Sequence, residues 1–130
     1  MSAALPTLRW DHLHLRSLDP DAAARFYVEV LGATMRDRSE TAGGLRVTVD
    51  LAGLALFIDR IGPERGDPPE PPFRGLEHFG FLVEDVDAAV AAFEARGAEI
   101  AVRPNSPKPG VRIAFLIGPD SVRIELLQRA

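Results

Sequence analysis

The stretch Trp10–Tyr27, "WDHLHLRSLDPDAAARFY", predicts a strand that leads directly into a helix. Residues alternate in its first half, so His12 and His14 project from one face of the strand and the leucines between them from the other. Asp19 then has the position of a helix N-cap, just before a proline and an apolar stripe. Because a core normally takes the apolar face, we expect the face with the two imidazoles to line a site.

The same pattern recurs 66 residues later in the chain. At that shift "DHLHLRSLDPDAAARF" falls on "EHFGFLVEDVDAAVAA", so His12 meets His78 and Asp19 meets Asp85. The shift also places "GLRV" on "GVRI". Several matches in one register predict two copies of a single supersecondary unit.

Each copy is predicted to contain a strand, a helix and three further strands. The three later strands are expected at 34–39, 45–51 and 54–60 in the first copy, and at 99–103, 111–117 and 121–128 in the second. We expect an α+β fold in which residues 1–130 form one domain, with modules 7–61 and 75–130 joined by linker 62–74. The linker is rich in proline and is predicted to lack regular structure. One helix covers one face of a four-stranded sheet, so the two open faces are predicted to form a curved, polar-lined cup.

Three residues of the predicted cup have metal-ligand chemistry. His12 and His78 begin equivalent strands, and alternation in "SVRIELLQR" leaves Arg123 and Glu125 on the open face. Two imidazoles and one carboxylate suit divalent iron, nickel, zinc, manganese or cobalt, with positions left for substrate. The alternative interpretation is that His12 and His78 are ordinary surface histidines and that Glu125 pairs with an arginine. The chain has 3 histidines, and two of them, His12 and His78, occupy equivalent positions in the repeat. This equivalence favours the metal site.

Further cup residues follow from the same alternation. His14 lies next to the predicted metal pocket and is a candidate catalytic acid or base, or else a histidine bonded to a neighbouring strand. Arg46 and Arg112 are repeat-equivalent and are expected to face the cup together with Arg123. Arginines in this place would bind a substrate carboxylate or phosphate, or else neutralise neighbouring carboxylates.

Composition excludes several classes of function. The chain has 130 residues, of which 46% are apolar, and a net charge of -4, so it has a core but no basic footprint for nucleic acid. It has no cysteine, which excludes thiolate metal ligands and disulfides. The N-terminal stretch does not read as a signal peptide and no apolar run is long enough to span a membrane, so a soluble cytoplasmic protein is expected.

The duplicated motif, with "FYVEVLG" at the end of the first helix and "IEL" near the end of the chain, resembles the vicinal oxygen chelate superfamily. This group includes glyoxalase I, bleomycin-resistance proteins, fosfomycin-resistance transferases, methylmalonyl-CoA epimerase and extradiol dioxygenases. The resemblance implies paired βαβββ modules, usually in a dimer, and a divalent metal that chelates a small-molecule substrate through neighbouring oxygens. The metal positions of the family fall on His12, His78 and Glu125.

The sequence departs from some members at a fourth ligand position. Glyoxalase and epimerase members have a carboxylate in the last strand of the first module, which here is "GLALFIDR". The rigid shift places Asp59 opposite Glu125, whereas alignment on the preceding turn places Phe57 there. We favour Phe57, because the apolar strand is ending by Asp59, and we expect its ring to contact the substrate.

Three classes of function compete. The first is a metal enzyme in which the metal acts as a Lewis acid, with lyase or isomerase chemistry favoured; Fe(II) would instead permit extradiol-type dioxygenase chemistry. The second is a ligand-sequestering protein like those of bleomycin resistance, and the third is a module with a vestigial cup. The intact set of His12, His78 and Glu125 counts against the second class, and the polar cup residues count against the third, so we favour the enzyme. One module cannot cover its own open face, so we expect a homodimer in which each cup combines modules of different chains.

Overall fold

The computed structural model describes residues 4–130, so the first three residues of the predicted domain 1–130 lie outside the described part. The first module comprises β1 (His12–Ser17), α1 (Pro20–Glu29), β2 (Thr34–Thr41), β3 (Gly44–Leu51) and β4 (Leu54–Arg60). The second comprises β5 (Phe79–Leu82), α2 (Val86–Ala95), β6 (Glu99–Lys108), β7 (Val111–Ile117) and β8 (Arg123–Arg129). The predicted order of elements and the α+β class are confirmed.

Each module forms one mixed four-stranded sheet. The order is β1-β4-β3-β2 in the first sheet and β5-β8-β7-β6 in the second. The first strand runs parallel to the last strand of its module, and the remaining neighbours are antiparallel. This topology leaves β1 and β5 at sheet edges, with no ladder partner on their outer sides among the described residues.

The two helices begin as the sequence predicts. The Asp19 carboxylate accepts a hydrogen bond from the backbone N–H of Ala22 at 3.1 Å, and Asp85 accepts one from Ala88 at 3.0 Å. Pro20 takes the first position of α1, where no intrahelical donor is lost. The repeat therefore specifies the start of both helices through the same side-chain cap.

A single apolar core joins the two modules on the helix side of both sheets. Alternate residues of the central strands are buried there: Val47, Val49, Leu56, Ile58, Ala114, Leu116, Ile124 and Leu126. Tyr27 of α1 belongs to this core, and its hydroxyl is buried without a hydrogen-bond partner among residues 4–130. Burial raises the pKa of Tyr27 above its ordinary value. Both helices pack against this core, and no helix of residues 4–130 covers the opposite face of either sheet.

Two of the connections between strands contain a short 3₁₀ turn. One, Pro63–Arg65, lies in the linker, which corrects the expectation that this segment has no regular structure. The other, Pro119–Ser121, lies between β7 and β8 and packs near α1, where the backbone N–H of Leu18 donates to Asp120 at 3.4 Å. Neither helix of the described chain has the length and apolar character needed to cross a membrane.

The 66-residue repeat does not hold through the whole module. It fits β1 with β5 and α1 with α2, but β6 has three register irregularities where β2 has one. The β7–β8 connection is also longer than the β3–β4 turn. These insertions move the later strands of the second module out of the rigid alignment, and a displacement of one residue reverses the face of every side chain.

Removing either helix cap tests how much the side chain of Asp19 or Asp85 stabilises the helix that follows it. We expect Asp19→Ala and Asp85→Ala each to lower the free energy of unfolding by about 1 kcal/mol, because a backbone N–H of the first turn loses its acceptor. Urea unfolding followed by circular dichroism measures the change. The Asp→Asn variants keep an acceptor oxygen and should lose much less; equal losses for Asn and Ala would assign the effect to charge rather than to capping.

Candidate metal centre

The open face of the second sheet brings an imidazole and a carboxylate together. His78 immediately precedes β5, and its Nε2 atom lies 3.2 Å from Oε1 of Glu125 in the neighbouring strand β8. Gly80 pairs with Glu125 across the ladder. A Cβ on Gly80 would lie 3.3 Å from the Cβ of Glu125 and 3.5 Å from its Oε1. Glycine therefore keeps the space beside this donor pair clear.

The other side of the His78 ring is held by Glu77 and Phe115, and Arg123 contacts both of these residues. Its Nδ1 donates to Glu77, and Oε1 of Glu77 lies 2.6 Å from Nε of Arg123. The His78 hydrogen bond, with the charge of Arg123 adding, holds the pKa of Glu77 below its ordinary value. The Arg123 guanidinium lies 4.7 Å from the ring centroid of Phe115, whose ring meets His78 edge to face at 4.9 Å.

The open face of the first sheet carries the equivalent histidine. His12 stacks on Phe57 with ring centroids 4.0 Å apart and an interplanar angle of 18°. Its Nδ1 donates to Oδ2 of Asp11 at 2.7 Å. Its Nε2 has no hydrogen-bond partner among residues 4–130. The nitrogen opposite the carboxylate is thus available for a ligand.

His14 belongs to an ion-pair cluster on the same face. Its Nε2 donates to Oδ2 of Asp59 at 2.9 Å, and Asp59 accepts two bonds from Arg46, at 2.7 and 3.0 Å. Arg46, and then His14, hold the pKa of Asp59 below its ordinary value. The Arg46 guanidinium also lies 4.7 Å from the centroid of Phe57. His14 is therefore bonded to a neighbouring strand and lies beside the open face.

The strand registers identify the counterpart of Glu125. His14 pairs with Phe57 in the first sheet, as Gly80 pairs with Glu125 in the second, and His14 and Gly80 are equivalent under the repeat. Phe57 therefore occupies the place that Glu125 has in the other module. Asp59 lies two residues further along β4, where it is bound to Arg46.

Arg112 does not face the cup, and the expectation that it does is corrected. Its guanidinium pairs with Asp87 of α2 on the helix side, with Nη2 2.9 Å from Oδ1. Arg112 shares its face with the buried Ala114 and Leu116. The irregularities in β6 explain the error, because they reverse the faces of β7 relative to β3.

The chain divides the predicted ligands between its two sheets. His78 and Glu125 lie together, whereas His12 lies on the first sheet, and residues 4–130 contain no group of three metal-binding side chains. His14 and His78 line one cavity of about 500 Å³, which is bounded by the proline-rich linker. Glu77 and Arg123 line it as well.

The donor chemistry fits a divalent cation. Imidazole nitrogen and carboxylate oxygen lie in contact beside a cradle that a Cβ on Gly80 would fill, and they are two of the three donors that the predicted 2-His-1-carboxylate site requires. His12, at the repeat-equivalent place, supplies a second Nε2. The two parts of the predicted ligand set lie on different sheets of the described chain.

Sequence reasoning missed two acidic residues of the site. Asp11 and Glu77 each precede a predicted ligand histidine and contact its Nδ1. The 66-residue shift that pairs His12 with His78 also pairs Asp11 with Glu77, so the signal was present in the quoted repeat.

Comparison with known proteins agrees with this architecture. A family model described as the Glyoxalase/Bleomycin resistance protein/Dioxygenase superfamily matches residues 9–126. Uncharacterized protein YwbC of Bacillus subtilis (strain 168) is 34% identical over 133 residues, which cover 93% of this chain and 98% of YwbC. Probable lactoylglutathione lyase, chloroplastic, of Arabidopsis thaliana is 30% identical over 126 residues. That match covers 91% of this chain but 35% of the lyase.

Solved structures have the same fold. The glyoxalase family protein from Enterococcus faecalis superposes with a TM-score of 0.79 at 23% identity, covering 92% of this chain and 96% of that one. TnmS3, an antibiotic binding protein from Streptomyces sp. CB03234, superposes with a TM-score of 0.74 at 25% identity, covering 98% of this chain and 100% of TnmS3. The fold and the family match together establish that this chain belongs to the glyoxalase/bleomycin resistance protein/dioxygenase superfamily.

Proposed function

We propose that the protein is a divalent-metal-dependent enzyme that binds a small substrate through two neighbouring oxygens and catalyses lyase or isomerase chemistry. The observation that carries this proposal is the contact between His78 Nε2 and Glu125 Oε1 on an open sheet face beside Gly80. His12 is the third ligand. A divalent cation bound there would act as a Lewis acid toward the substrate oxygens.

The active unit in this proposal is a homodimer. The two halves of the ligand set lie on different sheets, and each sheet has an uncovered face and an unpaired edge strand in the described chain. Large apolar side chains lie exposed beside those edges: Trp10 is 85%, Leu76 72% and Leu82 70% exposed. Exposed apolar groups next to an unpaired edge favour a protein partner, and a second copy supplies the missing half-site.

Substrate binding is assigned to Arg46 and Arg123, with Phe57 and Phe115 beneath them. Each guanidinium lies over a phenylalanine ring. Arg46 donates two hydrogen bonds to Asp59, which fixes the plane of its guanidinium, whereas Arg123 makes an ionic contact with Glu77 without hydrogen-bond geometry. An arginine has five N–H donors, so each keeps donors for an anionic group of the substrate. The Phe57 ring is half-buried and offers apolar surface to the carbon skeleton of the substrate, whereas Phe115 is buried and supports Arg123. Arg112 has no part in this set, because it lies on the helix side.

His14 is the proposed catalytic residue. Because its Nε2 donates to Asp59, its Nδ1 is left to accept a proton. Asp59 is held by both the His14 and Arg46 contacts, so the ring has a defined orientation. A proton moved by an imidazole in this position is worth about a hundredfold or more in rate.

Ligand sequestration without turnover is the second candidate. The paired phenylalanine and arginine groups of the two open faces suit the stacking of a planar ligand, and an antibiotic binding protein, TnmS3, has the same fold at 25% identity. Such a protein would need neither a metal ligand set nor a proton-transferring histidine.

The first prediction concerns the metal ligands. We expect His12→Ala, His78→Ala and Glu125→Ala each to weaken metal binding by more than about tenfold, because each removes one of three donors. Asp59→Ala should have little effect on metal affinity. Elemental analysis identifies the metal of the purified protein, and iron rather than nickel or zinc would favour dioxygenase chemistry. Metal content that survives the loss of both histidines would contradict the ligand assignment.

The second prediction concerns the origin of each cup. A chain with His12→Ala and a chain with His78→Ala and Glu125→Ala are each expected to bind no metal as homodimers. If every cup combines two chains, a heterodimer purified through two different tags contains one intact cup and should bind about half the metal of the wild type. Metal measured per dimer tests this. A heterodimer without metal, or a monomeric wild type that holds metal, would show that the cup forms within one chain.

The third prediction separates catalysis from sequestration. His14→Gln keeps size and polarity but removes the imidazole that would transfer a proton, so metal content and substrate affinity should persist while turnover falls about a hundredfold and the pH profile of turnover changes. Candidate substrates for the screen are 2-oxoaldehyde–thiol adducts, acyl-CoA esters and catechols. Unchanged turnover with an unchanged pH profile would remove His14 from the mechanism.

A further inference from the structure

A carboxylate directly precedes each of the two proposed ligand histidines. Asp11 accepts from Nδ1 of His12, and Glu77 accepts from Nδ1 of His78. Both contacts join neighbours in the chain, at the start of the strand that opens each module. The same contact therefore occurs at the start of both copies of the repeat, and the three proposed ligands alone do not explain it.

We propose that Asp11 and Glu77 are positioning residues that hold the two histidines in the tautomer that presents Nε2 to the metal. This inference rests on the proposed function for the identity of the ligand. A neutral imidazole carries its proton on either nitrogen, and only the nitrogen without the proton has a lone pair for a metal. A carboxylate that accepts from Nδ1–H leaves the lone pair on Nε2 and increases the basicity of the ring.

The aromatic neighbours complete the restraint. His12 is held on one face by Phe57, at a centroid distance of 4.0 Å, and His78 is held by the edge contact with Phe115, at 4.9 Å. A ring that is packed against an aromatic side chain and bonded at Nδ1 has little freedom to rotate. Both Nε2 atoms are consequently directed away from the carboxylates that precede them.

The two positioning residues are not equally well fixed. Glu77 is held by Arg123, whose Nε lies 2.6 Å from its carboxylate, and its side chain is 40% exposed. The Asp11 side chain is 84% exposed, and its only polar contact among the described residues is His12. The restraint on His78 therefore depends on a second residue, and we expect Glu77 to contribute more to metal affinity than Asp11.

The binding experiment measures affinity for Zn²⁺ by competition with a chromogenic chelator. We expect Glu77→Ala to weaken binding about 10- to 100-fold and Asp11→Ala by less, as for outer carboxylates of other metal sites. Glu99→Ala, which removes an exposed carboxylate from β6 of the same sheet, is the matched control and should leave affinity unchanged.

A double variant separates positioning from simple charge. Glu77→Ala leaves the charge of Arg123 uncompensated near the cation, and this alone would weaken binding. Glu77→Ala combined with Arg123→Ala restores the net charge but not the acceptor at Nδ1. Weak binding in the double variant supports positioning, whereas recovery of wild-type affinity would overturn it.

The tautomer of His78 is measured without metal, which separates this inference from the proposed function. Glu125 also lies near Nε2, so the measurement uses a Glu125→Ala background, at mildly alkaline pH where imidazole is neutral. Long-range ¹H–¹⁵N correlations should show the Nδ1–H form with Glu77 present and a mixture after Glu77→Ala. An unchanged tautomer would overturn the inference even if the wild type binds Zn²⁺. A wild type that binds no Zn²⁺ would instead refute the metal function and leave the tautomer result to decide.

Discussion

One helix per sheet is the constraint on which the rest of this structure depends. A four-stranded sheet has two faces, and α1 and α2 can each bury only one of them. The buried faces share a single core, which includes Tyr27 of the first module and Val86 of the second. Since hydrophobic burial is the main favourable term in folding, this shared core fixes the arrangement of the modules and directs both open faces away from it. Every polar group of the candidate site lies on the faces that the helices do not cover.

The parts of the fold that the sequence predicts are those with strong local signals. Alternation in β1 and β5 identifies their two faces, and the aspartates before α1 and α2 specify where the helices begin. The duplication then identifies His12 and His78 as equivalent. For the fourth position, the turn-based alignment placed Phe57 opposite Glu125, and the strand registers agree with it.

The parts that the sequence does not predict depend on register and on contacts between segments. Arg112 appeared equivalent to Arg46 in the sequence because "GVRI" follows "GLRV" at the repeat distance, but irregularities in β6 reverse the faces of β7. A bulge has no distinct pattern in a strand rich in proline and polar residues. Likewise, the sequence predicts that Arg46 and Arg123 face the cup, but it does not identify Asp59 and Glu77 as their partners. That pairing depends on distances between segments, which no local sequence pattern contains.

The alternation of the strands also has an evolutionary consequence. Along β4 and β8, neighbouring residues belong to different environments: Leu56 and Ile58 serve the core, whereas Phe57 faces outward between them. A substitution at an outward position changes the chemistry of the surface without creating a cavity in the core, so selection can act on the two sets of positions almost independently. Such separation allows one framework to acquire new reactions by point substitution at little cost in stability. A superfamily description that joins a glyoxalase, a drug-resistance protein and a dioxygenase is the expected outcome of that freedom.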